Sequence, residues 1–306
     1  MSGPANHRHL LDVTDFDADE VAAVLDLARR RPADLARPLM GRGVALIFEK
    51  PSTRTRHSME IAVVQLGGHP VYTRGEEIGI DTREPAEDIV RILQGYHAVI
   101  AARVFDHHVL VRMAAVADVP VVNLLSDRSH PLQAFADALT MEDEIGSLHG
   151  RRVAWVGDYN NVARSLAEIS TMLGAEVAMA CPPGFAPGDG EIERLMLLGT
   201  GAVSLHQRPV DAVAGADVVH ADTWVSMGQD DEKAERLQAF EGFTVDDALM
   251  ASAAADAVFM HCLPVYRGLE VTAEVIDGPR SRVFRQGHNR LHAARAALAF
   301  ILRAKS

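Results

Sequence analysis

GVALIFEKPSTRTRHSMEIAVVQL, residues 43–66, changes its apolar period halfway along. Residues 43–48 form a short, nearly unbroken apolar run, the pattern of a strand covered on both faces. After Thr53 the apolar residues Met59, Ile61, Ala62, Val63 and Leu66 take up a helical pattern, which Gly67 and Gly68 stop. Between the two lie Glu49, Lys50, Pro51, Ser52, Thr53, Arg54, Thr55 and Arg56, with three hydroxyls and two guanidiniums behind a proline. A strand feeding a helix in this way predicts a parallel sheet with crossover helices.

The same alternation runs through the chain. Strand-like runs stand at 97–103, 119–125, 152–158, 176–182, 216–222 and 257–264, and helical patterns at 85–94, 131–144 and 162–173. At 306 residues the chain is long enough for two cores. The helical run ending near 145–150 marks a seam before a fresh strand. The fold class expected is therefore α/β in two domains, 1–146 and 147–286, each a parallel sheet flanked by helices. The terminal segment 287–306, with a helix over 289–303, is expected to pack back onto the first domain. Open parallel sheets bind ligands beyond the carboxyl ends of their strands. The motifs sit at such ends, so the active site is expected in the cleft between domains.

Composition excludes several classes. Hydrophobic residues make up 48% and charged residues 24%, the balance of a globular protein. No apolar run approaches the roughly 20 residues of a membrane helix, and the first residues lack a signal-peptide pattern. A formal net charge of −12 argues against nucleic acid or an anionic membrane as partner. Two cysteines, Cys181 and Cys262, make no disulfide framework, which points to a reducing, cytoplasmic setting.

In an acidic chain, clustered arginines carry information. Ser52–Arg56 follows a strand and opens a helix, where unpaired N–H groups and the positive end of the helix dipole converge. Arg54 adds a planar fork suited to phosphate oxygens. The bland alternative is that Ser52 is a plain N-cap and the arginines are solvated. Arg103 closes the run 97–103 and points either into a site or to a solvated edge. His130 and Gln133 follow the run 119–125 at a helix start with Pro131 in a favoured first position. A histidine there could equally be a structural cap.

Gly157-Asp158-Tyr159-Asn160-Asn161 stands where a dinucleotide fingerprint would, but the glycines are missing. Paired asparagines suit a zwitterionic ligand. Asp222 can accept from an ammonium group, and Ser226 with nearby N–H groups can donate to a carboxylate. In His261-Cys262-Leu263-Pro264, strand alternation sends neighbouring side chains to opposite faces, which speaks against a His–Cys dyad. The other histidines have no metal-ligand spacing, so no metal is expected.

Taken together, STRTR (52–56), Arg103, HPLQ (130–133), GDYNN (157–161), DTWVSMG (222–228), HCLP (261–264) and HNR (288–290) give the chain a resemblance to the aspartate/ornithine carbamoyltransferase family, closest to its ornithine branch. The resemblance implies transfer of the carbamoyl group of carbamoyl phosphate to the δ-amine of L-ornithine, giving L-citrulline and phosphate, with no cofactor. It implies Ser52, Thr53, Arg54, Thr55, Arg103, His130, Gln133, Cys262, Leu263 and Arg290 as contacts to carbamoyl phosphate. Asn161, Asp222, Ser226 and Met227 are implied as contacts to ornithine. Arg103, His130, Asp222 and Cys262 are implied in catalysis, Arg56 in support, and the Leu263–Pro264 bond as cis.

The family also implies a homotrimer, or a multiple of trimers, in which the loop carrying Glu77 reaches a neighbouring subunit. Two positions depart from the family pattern: Glu77 where glutamine is usual, and His288 where an acid precedes Asn-Arg. Glu77 should repel bound phosphate unless paired or turned away. The alternatives are another acceptor, such as lysine, putrescine or a specialised-metabolism amine, or a catalytically impaired paralogue.

Overall fold

The computed structural model describes residues 8–225 and 230–303. The chain divides into two compact units, residues 1–136 with 290–306, and residues 137–289.

The first unit is built on β1 (Gly43–Phe48), β2 (His69–Arg74), β3 (His97–Arg103) and β4 (Val121–Leu125), all parallel in the order β2-β1-β3-β4. Its helices are α1 (Ala18–Arg29), α2 (Thr53–Gln65), α3 (Gly75–Ile78), α4 (Ala86–Leu93), α5 (His107–Val116) and the start of α6 (Pro131–Ile145). Ile47, Ile89, Val90, Ile100, Leu110, Met113 and Val121 pack in one buried cluster.

The second unit carries β5 (Arg152–Val156), β6 (Glu176–Ala180), β7 (Ala202–His206), β8 (Val218–Ala221) and β9 (Val258–His261), parallel in the order β7-β6-β5-β8-β9. Its helices are α7 (Asn161–Met172), α8 (Glu191–Met196), α9 (Pro209–Val213), α10 (Lys233–Ala239), α11 (Asp247–Met250) and α12 (Ala273–Ile276). Trp224, Phe240, Phe243 and Phe259 anchor its core. The last helix, α13 (Val283–Arg303), begins in this unit and ends in the first.

Strand order sets where ligands can bind. In the first sheet the chain runs from β1 to β2 on one side, then returns to place β3 on the other side of β1. In the second, β6 and β7 lie on one side of β5, and β8 and β9 on the other. Each reversal opens a crevice at the carboxyl ends of two adjacent strands, β1/β3 and β5/β8, because the outgoing connections diverge there. Phe48 faces Arg103 across the first pair, and Val156 faces Ala221 across the second.

Two strands escape the apolar-run criterion. β2 and β7 are edge strands, and most of their positions are exposed or half-buried. A half-covered edge shows polar residues where a central strand shows Val or Ile. The runs expected at 152–158, 216–222 and 257–264 stop short, at Val156, Ala221 and His261, which releases the following residues into loops. α13 begins earlier than 289 because Gln286 and Asn289, which look like surface residues, are buried on Asp137 and Thr140.

Arg295, on α13 and 1% exposed, donates to the Gln65 amide oxygen (2.8 Å) and to the carbonyls of Ala28 (3.2 Å) and Arg30 (2.7 Å). A buried guanidinium is offset here by the negative end of α1, whose last carbonyls would otherwise lack partners. Arg295→Met keeps the volume and removes every donor. Urea unfolding should show it destabilised by about 1–3 kcal/mol.

Candidate active site

In the first unit the opening motif lies at the β1/β3 crevice. Ser52 has extended backbone (φ −157°) and caps α2, accepting the Thr55 N–H at 3.4 Å, while its own hydroxyl donates to Thr55 Oγ1 at 3.1 Å. The N-cap alternative is thus real: Ser52 caps α2. Arg290 of α13 donates through Nη2 to Thr55 Oγ1 (2.6 Å) and through Nη1 to the Gln133 amide oxygen. Thr55, Gln133 and Arg290 are buried together, so four of the expected residues form one chain from Ser52 to Gln133.

His130 is 3% exposed, and its imidazole is held well below the ordinary histidine pKa. Burial is the largest cause, followed by the positive charges of Arg290, Arg103 and Arg54. Arg54 is therefore not merely solvated: its field reaches the same imidazole as those of Arg103 and Arg290. A neutral imidazole can still give one N–H to a ligand oxygen while three guanidiniums supply the charge.

The loop before His130 is held by buried hydrogen bonds. Asn123 Nδ2 donates to the carbonyls of Leu11 (2.8 Å) and Ser129 (3.1 Å), and the Ser129 hydroxyl donates to Asp12 (2.9 Å). At the ends of β1 and β3, the Glu49 N–H donates to the Arg103 carbonyl (2.9 Å), and the Phe105 N–H to the Glu49 carboxylate (2.8 Å). Burial raises the Glu49 pKa. Burial, with Arg103 close by, lowers that of Lys50, whose ammonium sits 4.1 Å from the Phe105 ring centroid. Arg56 pairs with Glu60 (2.8 Å) and lies over Tyr72 (3.7 Å), a supporting arrangement.

In the second unit Asn160 caps α7, accepting the N–H groups of Val162 (2.9 Å) and Ala163 (3.0 Å). Its amide nitrogen donates to Asp222 Oδ2 at 2.9 Å, across the β5/β8 crevice. Asp222 Oδ1 accepts the Cys262 thiol at 3.2 Å. A buried carboxylate held by two neutral donors is placed to accept from an ammonium ligand. Asn161 starts the helix beside it. Ser226 and Met227 lie outside the described residues.

The alternation argument against a His–Cys pair needs correcting. β9 ends at His261, so Cys262 is not bound to the pleat, and Asp222, His261 and Cys262 each bring one donor atom within 4.8 Å of the others. Three such donors could hold a metal ion. However, His261 Nδ1 already accepts the Leu263 N–H (2.9 Å), and its Nε2 lies 3.3 Å from Glu270. The thiol's hydrogen bond goes to Asp222, so His261 is not its base. Leu263 has φ +59°, and the Leu263–Pro264 bond is cis.

Glu77 is exposed at the third position of α3, and its carboxylate accepts the Arg74 N–H at 3.0 Å. Arg83 donates to its backbone carbonyl (3.2 Å), not to the carboxylate. His288 is exposed. Sequence reasoning passed over Arg236, a buried guanidinium on α10. It pairs with Asp158 (2.8 Å) and Glu232 (2.8 Å) and donates to the Trp224 carbonyl (3.1 Å), stitching the loop after β5 to the loop after β8. Burial outweighs that pairing and raises the Asp158 pKa.

Both halves of the chain match family models. Residues 8–143 match the aspartate/ornithine carbamoyltransferase carbamoyl-P binding domain, and residues 149–301 the Asp/Orn binding domain. The chain belongs to the aspartate/ornithine carbamoyltransferase family. It is 48% identical over 301 residues to the ornithine carbamoyltransferase of Acidothermus cellulolyticus, covering 96% of each chain. It is 46% identical over 298 residues to that of Thermus thermophilus, covering 97% of each. The structure of ornithine carbamoyltransferase from Pyrococcus furiosus superposes with a TM-score of 0.93 at 42% identity, covering 98% of each chain. Of the arginines at the crevice of the first unit, Arg54 and Arg103 fall in the segment that matches the carbamoyl-P binding domain and Arg290 in the segment that matches the Asp/Orn binding domain, as do Asn160, Asp222 and Cys262.

The depressed His130 pKa has a stability consequence. The native state excludes a proton that the unfolded chain takes up, so its contribution is complete above the unfolded pKa of about 6.5 and is lost as pH falls below it. Each pH unit below that point costs up to about 1.4 kcal/mol for this one group. His130→Gln should therefore lose less stability than the parent between about pH 7 and pH 5.5 in urea unfolding. Parallel losses would contradict the buried, neutral assignment.

Proposed function

We propose that the protein transfers the carbamoyl group of carbamoyl phosphate to the δ-amine of L-ornithine, giving L-citrulline and phosphate, in the cytoplasm as a step of arginine biosynthesis. The observation that carries this reading is the convergence of Arg54, Arg103 and Arg290 on the buried, neutral His130 beside the start of α2. Three guanidiniums and a helix start match a dianionic phosphate, and a neutral imidazole matches a carbonyl oxygen.

The chemistry assigns each residue a part. The free amine attacks the carbonyl carbon, a C–N bond forms, and negative charge grows on the carbonyl oxygen. Thr55, Arg103 and His130 are the donors proposed for that oxygen. The C–O bond to phosphate then breaks, the attacking nitrogen's remaining extra proton passes to the departing phosphate oxygen, and the resulting hydrogen phosphate dianion stays on Ser52, Thr53, Arg54, Thr55 and Arg290. Gln133 and Leu263 are proposed to hold the carbamoyl NH2 group. Arg290 donates to Thr55 and Gln133, contacts that hold its fork beside the start of α2. An alkylammonium of pKa near 10.4 must lose a proton before attack. Asp222, with Cys262 on its Oδ1, is the group proposed to receive and steer that proton. Asn161, Ser226 and Met227 are proposed to hold the α-amino and α-carboxylate groups.

The assembly proposed is a homotrimer. Ile61 and Val64 on α2 and Val71 on the edge strand β2 are exposed at 46%, 50% and 40%, an apolar face on the first unit that a second copy would cover. Glu77 follows that edge.

Formation of the carbamoylated product across a panel of ornithine, lysine and putrescine tests the acceptor. Ornithine should exceed the others by orders of magnitude in kcat/KM, and equal rates would sink the assignment. Arg54→Leu should remain folded yet weaken carbamoyl phosphate binding by about 2–4 kcal/mol, read by calorimetry. Near-normal affinity in that variant would take the phosphate role away from Arg54.

A further inference from the structure

Beneath Asp222 and Cys262 the second unit holds a buried polar chain that the transfer chemistry does not use. Asp137 on α6, Gln286 on α13, His220 on β8 and His261 on β9 are all 0% exposed. The Gln286 amide oxygen accepts the His261 N–H at 2.9 Å. That bond fixes the orientation of the amide: its nitrogen then donates to Asp137 Oδ1 at 2.6 Å and faces His220 Nε2 at 3.1 Å. Two donors cannot share that last contact, so His220 Nε2 accepts and the ring carries its proton on Nδ1. His220 is stacked on Trp155, with centroids 5.2 Å apart, which holds the ring in place.

One side chain therefore grips two adjacent strands at their carboxyl ends. His261 directly precedes Cys262, and its Nδ1 holds the Leu263 N–H. His220 lies two residues before Asp222. An apolar residue would fill the same space without burying a carboxylate, which is costly unless every acceptor is served.

We propose that Gln286 is a positioning residue for the acceptor half-site. Its amide, held by Asp137, locks the ends of β8 and β9 so that Asp222 and Cys262 meet the acceptor amine in register. The inference rests on the carbamoyl-transfer reading above. Gln286 itself touches neither substrate.

The test is steady-state kinetics with each substrate varied in turn, together with calorimetry of carbamoyl phosphate. Gln286→Leu should raise the ornithine KM about tenfold or more and lower kcat, with carbamoyl phosphate affinity within about twofold of the parent. Gln286→Glu should be worse, because it sets two carboxylates against each other. Combined with Asp137→Asn the polarity is exchanged: the new amide donates to the new carboxylate, which still accepts the His261 N–H, while His220 turns its proton to Nε2. That double variant should bring the ornithine KM back to within about threefold of the parent.

Unchanged ornithine kinetics in Gln286→Leu would overturn the proposal. So would equal losses for both substrates, which mark a merely structural role. If Gln286→Leu does not fold, the double variant decides, and its failure to fold or to recover ornithine KM overturns the proposal. A parent that binds carbamoyl phosphate but makes no citrulline sinks the ornithine assignment instead. The same variants are then read with the amine of the panel that it does carbamoylate.

Discussion

The reversal of strand order in each sheet is the constraint from which the candidate site follows. Because β3 and β2 lie on opposite sides of β1, the connections leaving β1 and β3 diverge and open a crevice at their carboxyl ends. The start of α2 and Arg103 meet in that gap. The same reversal between β6 and β8 about β5 leaves the gap that the Asn160–Asp222 hydrogen bond spans. Each unit thus builds a crevice from topology and then lines it with side chains of opposite character. One is cationic, and the other is a carboxylate among neutral donors.

The cationic crevice depends on a balance of desolvation and charge. Burial first, and then the positive charges of Arg290, Arg103 and Arg54, push His130 toward its neutral form. Neutral acceptors, Thr55 and Gln133, hold Arg290. On the reading proposed above, a phosphate dianion would offset those positive charges, with Thr55, Arg103 and His130 as the donors proposed for the carbonyl oxygen.

Much of this was legible in the sequence, and the rest was hidden for identifiable reasons. Residues 43–66 announced a strand, a turn and a helix because β1 is central and covered on both faces, while β2 and β7 were silent because edge strands show polar residues. The arginines stood out against an acidic chain. Asn160 and Asn161 were flagged as a pair, yet which of them reaches Asp222 is set by capping geometry that spacing does not reveal. Arg236 and Gln286 gave no local signal at all. Each is a single polar residue on a helix, and its partners lie far away in sequence: Asp158 for one, Asp137 and His261 for the other. Whether Glu77 is paired or turned away was open in the sequence; its carboxylate accepts the N–H of Arg74, the residue that caps its short helix.

Hydrogen exchange of the intact protein, mapped by mass spectrometry, tests most directly whether each crevice holds one substrate. Carbamoyl phosphate alone should protect the segments around 52–56, 103–105 and 130–134. Added L-norvaline, which is ornithine without its δ-amine, should then protect those around 157–163 and 222–225. Protection by carbamoyl phosphate confined to the second unit, or by either ligand at the amino ends of the strands, would contradict the account.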